Sequence, residues 1–305
     1  MRHYERYLRW FIAFVLLSGW VTARAEPPPP IAIGFYTQVI RDFPRKDVEV
    51  SLRFWTDELA RSLNLTYKPI QLYDNLDDLR RDMVAGKINF MVASSMGVVQ
   101  HFSADEISDG FSGNKSTPNY LLLVVRRGAG IQTPSDLARK RVMLLENDEL
   151  SDIYLETLLL KAWGKPDWAR LGSVSREPRS VKLVNGLFFG QADAALIDRS
   201  AYEAALALNP QIGQRLQVLE DYTFKGGSPH IGLFSSRMRP EDRERITEAA
   251  LKLNDTVRGR QVLDIYQADS MVRTSVKDLI PYRELLETHS ALMAVAKSKA
   301  RRKRP

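Results

Sequence analysis

The stretch NYLLLVVRRGAGIQTPSDLARKRVMLL, residues 119–145, decides the fold. Its apolar run from Tyr120 to Val125 reads as a strand. Arg126-Arg127-Gly128 leads out of it to Thr133-Pro134-Ser135-Asp136-Leu137, a short capped helix. A basic turn, Arg139-Lys140-Arg141, opens a second apolar strand from Val142 to Leu145. A strand leaving one domain, a capped helix and a strand opening the next predict a hinge. Hinged two-domain proteins close on small ligands.

On the N-terminal side, strands and helices alternate. Ile31 to Tyr36 reads as a strand, and Val48 to Leu63 has helical spacing, with Val48, Leu52, Trp55 and Leu59 on one face. Leu65 to Leu72 reads as a strand, Leu76 to Val84 as a helix stopped by Gly86, and Ile88 to Ala93 as a strand. Ser94-Ser95 opens the next helix. The pattern restarts after the hinge. Helices are expected at Ser151 to Trp163, Val181 to Phe189 and Ser200 to Leu208. Strands are expected at Gly172 to Arg176, Ala194 to Ile197 and Leu216 to Leu219. Lys225-Gly226-Gly227 reads as a return crossing and His230 to Phe234 as a strand rejoining the first lobe. The remainder reads as helices at Glu241 to Val257, Gln261 to Tyr266 and Leu279 to Ala296. Such alternation predicts an α/β protein whose two lobes are each a mostly parallel sheet flanked by helices. The first lobe is read as residues 26–126 plus 226–305, and the second as 127–225.

A chain of 305 residues is long enough for a core in each of two domains. Arg2, Arg6 and Arg9 precede an apolar run from Trp10 to Val21, and Ala23-Arg24-Ala25 forms a cleavage motif. That run is short for a membrane span, so residues 1–25 are read as a cleavable signal peptide, with the mature chain from Glu26 in the periplasm; an uncleaved anchor is the other reading. The absence of Cys excludes both a disulfide and a lipid anchor on Cys. The formal charge of +7 is concentrated at the ends. The signal carries Arg2, Arg6, Arg9 and Arg24 against Glu5, and the tail carries Lys297, Lys299, Arg301, Arg302, Lys303 and Arg304; the body between nets −2. A near-neutral body argues against nucleic acid as a partner. The tail reads as a solvated, disordered end, with anionic lipid headgroups as the other reading.

Ligands of open α/β sheets bind beyond the carboxyl ends of the strands. That rule nominates Tyr36 and Thr37, Asp74 and Asn75, and Ser94 and Ser95 in the first lobe. In the second it nominates Asn147, Ser151, Arg176 and Asp198. Tyr36 can stack on a ligand or hydrogen-bond it, or be a half-buried strand-end residue. Asp74, Asn75, Ser94, Ser95, Asn147, Ser151 and Asp198 can bind polar ligand groups or cap the helices that follow them. Arg176 can fork onto a carboxylate or phosphate, or form a surface ion pair with Glu177 or a neighbour. The histidines, His3, His101, His230 and His289, have no metal spacing. No HExxH, GxSxG or phosphate-loop motif occurs, so no enzyme, metal or cofactor is expected.

Four places resemble the phosphonate/phosphite/phosphate family of periplasmic substrate-binding proteins of ABC transporters. They are Leu76 to Phe90, Pro118 to Val125, Ser135 to Val142, and Val184 to Ala195. The resemblance implies a type II periplasmic binding protein fold. It also implies a monomer that closes on a small ligand, phosphonate-like and anionic in the family, and hands it to an ABC permease. The other function of this architecture is sensing, with the bound state presented to a membrane histidine kinase or cyclase. Two positions depart from the family. Its serine-rich turn at the start of the second-lobe helix is here Asn147-Asp148-Glu149-Leu150-Ser151-Asp152, and its histidine–acid pair is Arg176-Glu177. Acids at a helix start already satisfy its dipole, which leaves a cationic or zwitterionic ligand open beside an anion.

Overall fold

The computed structural model describes residues 30–40, 45–63, 67–114, 120–223, 228–265 and 268–302. The expected signal peptide, the expected crossing at 225–227 and the last three residues of the basic tail lie outside them. The first sheet is built from β1 (Ile33–Tyr36), β2 (Gln71–Tyr73), β3 (Phe90–Ser94) and β4 (Ile107–Ser108). A two-stranded sheet beside it pairs β5 (Gly110–Asn114) with a late strand. The second sheet takes β6 (Tyr120–Arg126), β7 (Arg141–Leu145), β8 (Ser173–Glu177), β9 (Ala194–Asp198) and β10 (Leu216–Thr223). The chain then returns as β11 (His230–Ser235), and β12 (Ser270–Thr274) is the late partner of β5.

The two sheets have the same plan. The first runs β2-β1-β3-β11-β4 and the second β8-β7-β9-β6-β10. In each, the fourth strand alone is reversed. β11 lies antiparallel to β3 and β4, and β6 antiparallel to β9 and β10, while the remaining neighbours are parallel. Each reversed strand is the first that the chain lays down in a sheet after crossing from the other. This corrects one sequence expectation. Tyr120–Arg126, assigned there to the first lobe, pairs along its length with β9 and β10 and is an inner strand of the second sheet. The outward crossing therefore precedes Tyr120 and is not at Arg126 to Gly128. An apolar run cannot reveal which sheet will cover it, because its partners are distant in sequence.

Ten α-helices complete the described residues: α1 (Arg45–Leu63), α2 (Leu76–Val84), α3 (Ser95–His101), α4 (Glu149–Trp163), α5 (Ser180–Phe188), α6 (Arg199–Leu208), α7 (Gln211–Arg215), α8 (Pro240–Leu251), α9 (Val257–Ile265) and α10 (Ile280–Arg302). Their ends follow local chemistry. Asn75 caps α2 by accepting from the amides of Asp77 and Asp78. Gly164 stops α4 in the left-handed conformation that glycine adopts without strain. Thr133 and Asp136 form a reciprocal capping box on the short 3₁₀ turn Pro134–Leu137. The long helix expected from Glu241 breaks instead. The Thr256 hydroxyl accepts from the Gly259 amide at 2.9 Å, so the chain caps and starts α9 there. The basic tail is also more ordered than expected, since α10 runs to Arg302 and takes Lys297 and Lys299 with it.

Apolar clusters fill both sides. Ile33, Phe90, Phe111 and Phe234 centre one in the first lobe. Leu122, Met143, Leu183 and Ile197 centre one in the second. A further cluster joins α4 and β6 to Met96 of α3 and to Tyr282 and Leu285 of α10, so helices from both ends of the chain close over the second sheet. His289 of α10 adds a 2.7 Å contact to Glu156 of α4.

Gly232 shows how tightly the first lobe is built. A Cβ placed there would lie 1.9 Å from the Phe111 backbone carbonyl oxygen and 2.8 Å from the Phe90 ring. Phe90 and Phe111 stack at 4.5 Å, so neither strand can give way without breaking that pair. Gly232→Ala should cost about 1–3 kcal/mol through overpacking. A thermal melt that matches the parent protein would show that β5 is free to move.

Candidate functional site

β1 and β3 end side by side in the first sheet, with Ile33 in register with Phe90 and Phe35 with Val92. Their carboxyl ends deliver Tyr36 and Ser94 to one place. Ser94 stands at the N-cap position of α3, yet its side chain makes no capping bond. The hydroxyl instead donates to Oε2 of Glu149 at 3.1 Å. Tyr36 donates its phenol to Oε1 of the same carboxylate at 2.7 Å. Glu149 is the first residue of α4, at the carboxyl end of β7 in the other sheet. The site thus spans both sheets, and Tyr36 and Ser94 are both buried at its base.

Other nominated residues are held around this centre in different ways. Thr37 donates to Asp74 at 2.6 Å, a polar pair beside Tyr36. Asn75 is occupied as a helix cap. The Ser95 hydroxyl donates to the backbone carbonyl of Ser228 at 2.5 Å, and its amide donates to that of Pro229 at 2.8 Å. Ser95 therefore fastens the returning chain to the start of α3. Ser151 is fully buried, and both its amide and its hydroxyl donate to Asp148, the cap of α4. Asn147 makes the turn before that cap with φ +50°. Asp198 takes the N-cap position of α6 without a side-chain capping bond.

Arg176, at the end of β8, donates to Oδ1 of Asp152 at 2.8 Å and to the Leu145 carbonyl at 3.3 Å. Its ion-pair partner is thus a residue one turn into α4, and not the adjacent Glu177. Burial pushes the Asp152 carboxyl above the usual range, and the Arg176 guanidinium opposes that rise. Burial likewise raises the Tyr282 phenol, which sits behind Ser95. Acidic groups dominate the rim: Asp74, Asp148, Glu149, Asp152 and Asp198 against Arg176.

Glu149 is the site residue that sequence reasoning passed over. That reasoning started α4 at Ser151 and treated the acids before it as partners of the helix dipole. The helix begins two residues earlier, so Glu149 projects from the strand-end turn itself. Its place immediately after the strand-end turn was the available signal. A separate concavity of about 360 Å³ is lined by Arg126, Arg127, Arg215, Phe188 and Phe189. It lies at the opposite end of the strands of the second sheet, where Val125 is in register with Ala194 at the start of β9. None of the nominated residues lines it.

Two mixed sheets of the same strand order, crossed twice by the chain and facing each other through strand ends, define a type II periplasmic binding protein fold. The family model described as "ABC transporter, phosphonate, periplasmic substrate-binding protein" matches residues 39–279. The chain belongs to that family. No curated protein matches it in sequence. Among solved structures it is similar to PhnD1 from Prochlorococcus marinus (MIT 9301) in complex with methylphosphonate. That pair shares 14% identity over 86% of this chain and 97% of the other, with a TM-score of 0.63. A Xanthomonas citri protein bound to chloride ion gives 12% identity over 86% and 98%, with a TM-score of 0.67. A binding protein component of an ABC phosphonate transporter from Pseudomonas aeruginosa gives 11% over 89% and 95%, with a TM-score of 0.62. At these identities the likeness is one of fold. The family is one of periplasmic substrate-binding proteins, whose partners are a small molecule and an ABC permease.

Proposed function

We propose that this chain is exported and binds a small anionic ligand of the phosphonate, phosphite or phosphate class between two lobes. It closes on that ligand and delivers it to an ABC permease. The lobes are residues 30–114 with 228–279, and residues 120–223 with α10 packed on them. The observation that carries this reading is the convergence of the Tyr36 and Ser94 hydroxyls on one carboxylate from the opposite sheet. Two buried donors from different strand ends, aimed at one pair of anionic oxygens, are the chemistry of an oxyanion seat. The methylphosphonate bound by the Prochlorococcus relative has the matching group. Arg176 is the one cation among the nominated residues, and Thr37, Asn147 and Asp198 would add polar groups at the strand ends around the seat.

Isothermal titration of the mature protein with methylphosphonate, phosphite and inorganic phosphate tests the proposal. One-site saturable binding of at least one of them is expected. If none binds at millimolar concentration, the ligand class is wrong. Mass spectrometry of whatever the protein releases on denaturation then names the correct one.

A further inference from the structure

The ligand seat just proposed is already filled by a part of the protein. Glu149 places one carboxylate oxygen on the Tyr36 phenol and the other on the Ser94 hydroxyl. These are charge-assisted bonds, stronger than bonds between neutral groups. Their donors lie at relative exposures of 5% and 9%, so a hydroxyl left without an acceptor there would be costly. The backbone beneath Glu149 is fixed. Asp148 caps the helix start, and Leu150 and Ser151 on the far side are buried. Only the side chain of Glu149 is free to leave. Among the described residues the carboxylate has no basic partner, and Arg176 is engaged with Asp152.

We propose that Glu149 is the specificity-determining residue of the cleft, a built-in competitor that holds the two lobes together in the absence of ligand. The inference rests on the reading of the cleft as an anion site. An incoming anion must take both hydroxyls from a carboxylate that reaches them at no translational cost, because it is tethered. It must then remain near the displaced negative charge. Weak acceptors lose that competition. A phosphonate or phosphate, with a third oxygen to offer besides the two that take the hydroxyls, is the class able to win it. Occupancy of the seat by Glu149 also ties the end of β7 to the ends of β1 and β3, so the empty protein stays closed.

The test uses the mature protein, with Glu149→Ala and Glu149→Gln, in two measurements. The first is calorimetric titration with methylphosphonate and inorganic phosphate. Glu149→Ala should bind at least ten-fold more tightly than the parent, and Glu149→Gln should fall between them. Equal or weaker binding by both variants overturns the competitor role. The second is small-angle scattering without ligand. The parent should be as compact as its ligand-bound form, and Glu149→Ala should have a larger radius of gyration that shrinks when methylphosphonate is added. An unchanged radius for folded Glu149→Ala or Glu149→Gln overturns the latch. If neither parent nor variant binds an anion, the proposed ligand class fails and the competitor role fails with it, while scattering still decides the latch. Should Glu149→Ala not fold, the near-isosteric Gln variant carries both measurements.

Discussion

Tyr282→Ala should cost about 3–5 kcal/mol of stability, the range for removing a large ring from a packed core. The Tyr282 ring is fully buried on the second lobe, although it arrives on the last helix of the chain. It packs in the cluster shared by Met96 of α3, Leu155 and Leu159 of α4 and Leu123 of β6. Nothing nearby is free to collapse into the space, since each of those side chains also holds a helix against the sheet. Tyr282→Phe keeps the ring and its packing and should lose less than about 1.5 kcal/mol, the range for volume-conserving swaps in a core. Urea unfolding followed by circular dichroism separates the two. A loss below about 1 kcal/mol for the Ala variant would mean that α10 is an appendage and not part of the core.

Arg176→Ala should weaken methylphosphonate binding by about 2–5 kcal/mol, the cost of removing one partner of a desolvated charge pair. The present partner of Arg176 is Asp152, and the side chains are 38% and 37% exposed. Such a half-exposed pair adds little to stability, so the fold should survive its loss. Asp152→Asn is the informative companion. It releases the guanidinium, and affinity should hold or rise. Calorimetry on both variants decides between two roles. If Arg176→Ala binds like the parent, the arginine serves only to compensate Asp152, whose carboxyl is pushed up by burial.

Much of this architecture was legible because its signals are local. The expected bounds of Leu76 to Val84 coincide with α2, since Asn75 caps one end and Gly86, at φ +73°, follows the other. Tyr120 to Val125 and Val142 to Leu145 were legible as strands because they are apolar runs bounded by charge, although both belong to the second sheet and no crossing lies between them. What failed was mostly not local. β5, Gly110–Asn114, has the composition of a turn and becomes a strand only because β12, Ser270–Thr274, pairs with it from far along the chain. The sheet membership of Tyr120–Arg126 depends on β9 and β10 for the same reason. The break at Thr256 is different, because the Thr256–Gly259 cap is local and could have been read. Of the residues nominated by the strand-end rule, Tyr36 and Ser94 are the two whose hydroxyls meet at Glu149. The rule also chose Ser95 and Ser151, whose hydroxyls are spent on the backbone and on a helix cap, since sequence does not reveal where a rotamer points. The rule missed the acceptor Glu149, whose role exists only when two distant strand ends meet.

The reversed fourth strand of each sheet sets a timetable for assembly. Every strand of the second sheet lies within residues 120–223, so that sheet can form as soon as it has emerged, with α10 arriving later to cover it. The first sheet cannot. β3 must wait for β11, and Ser94 meets His230 only after the whole second sheet has been laid down. The sheet begun first is therefore finished last, which inverts the usual amino-to-carboxyl order of domain folding. Until β11 arrives, β3 has an open edge of apolar residues, the kind of surface on which chains pair with their neighbours.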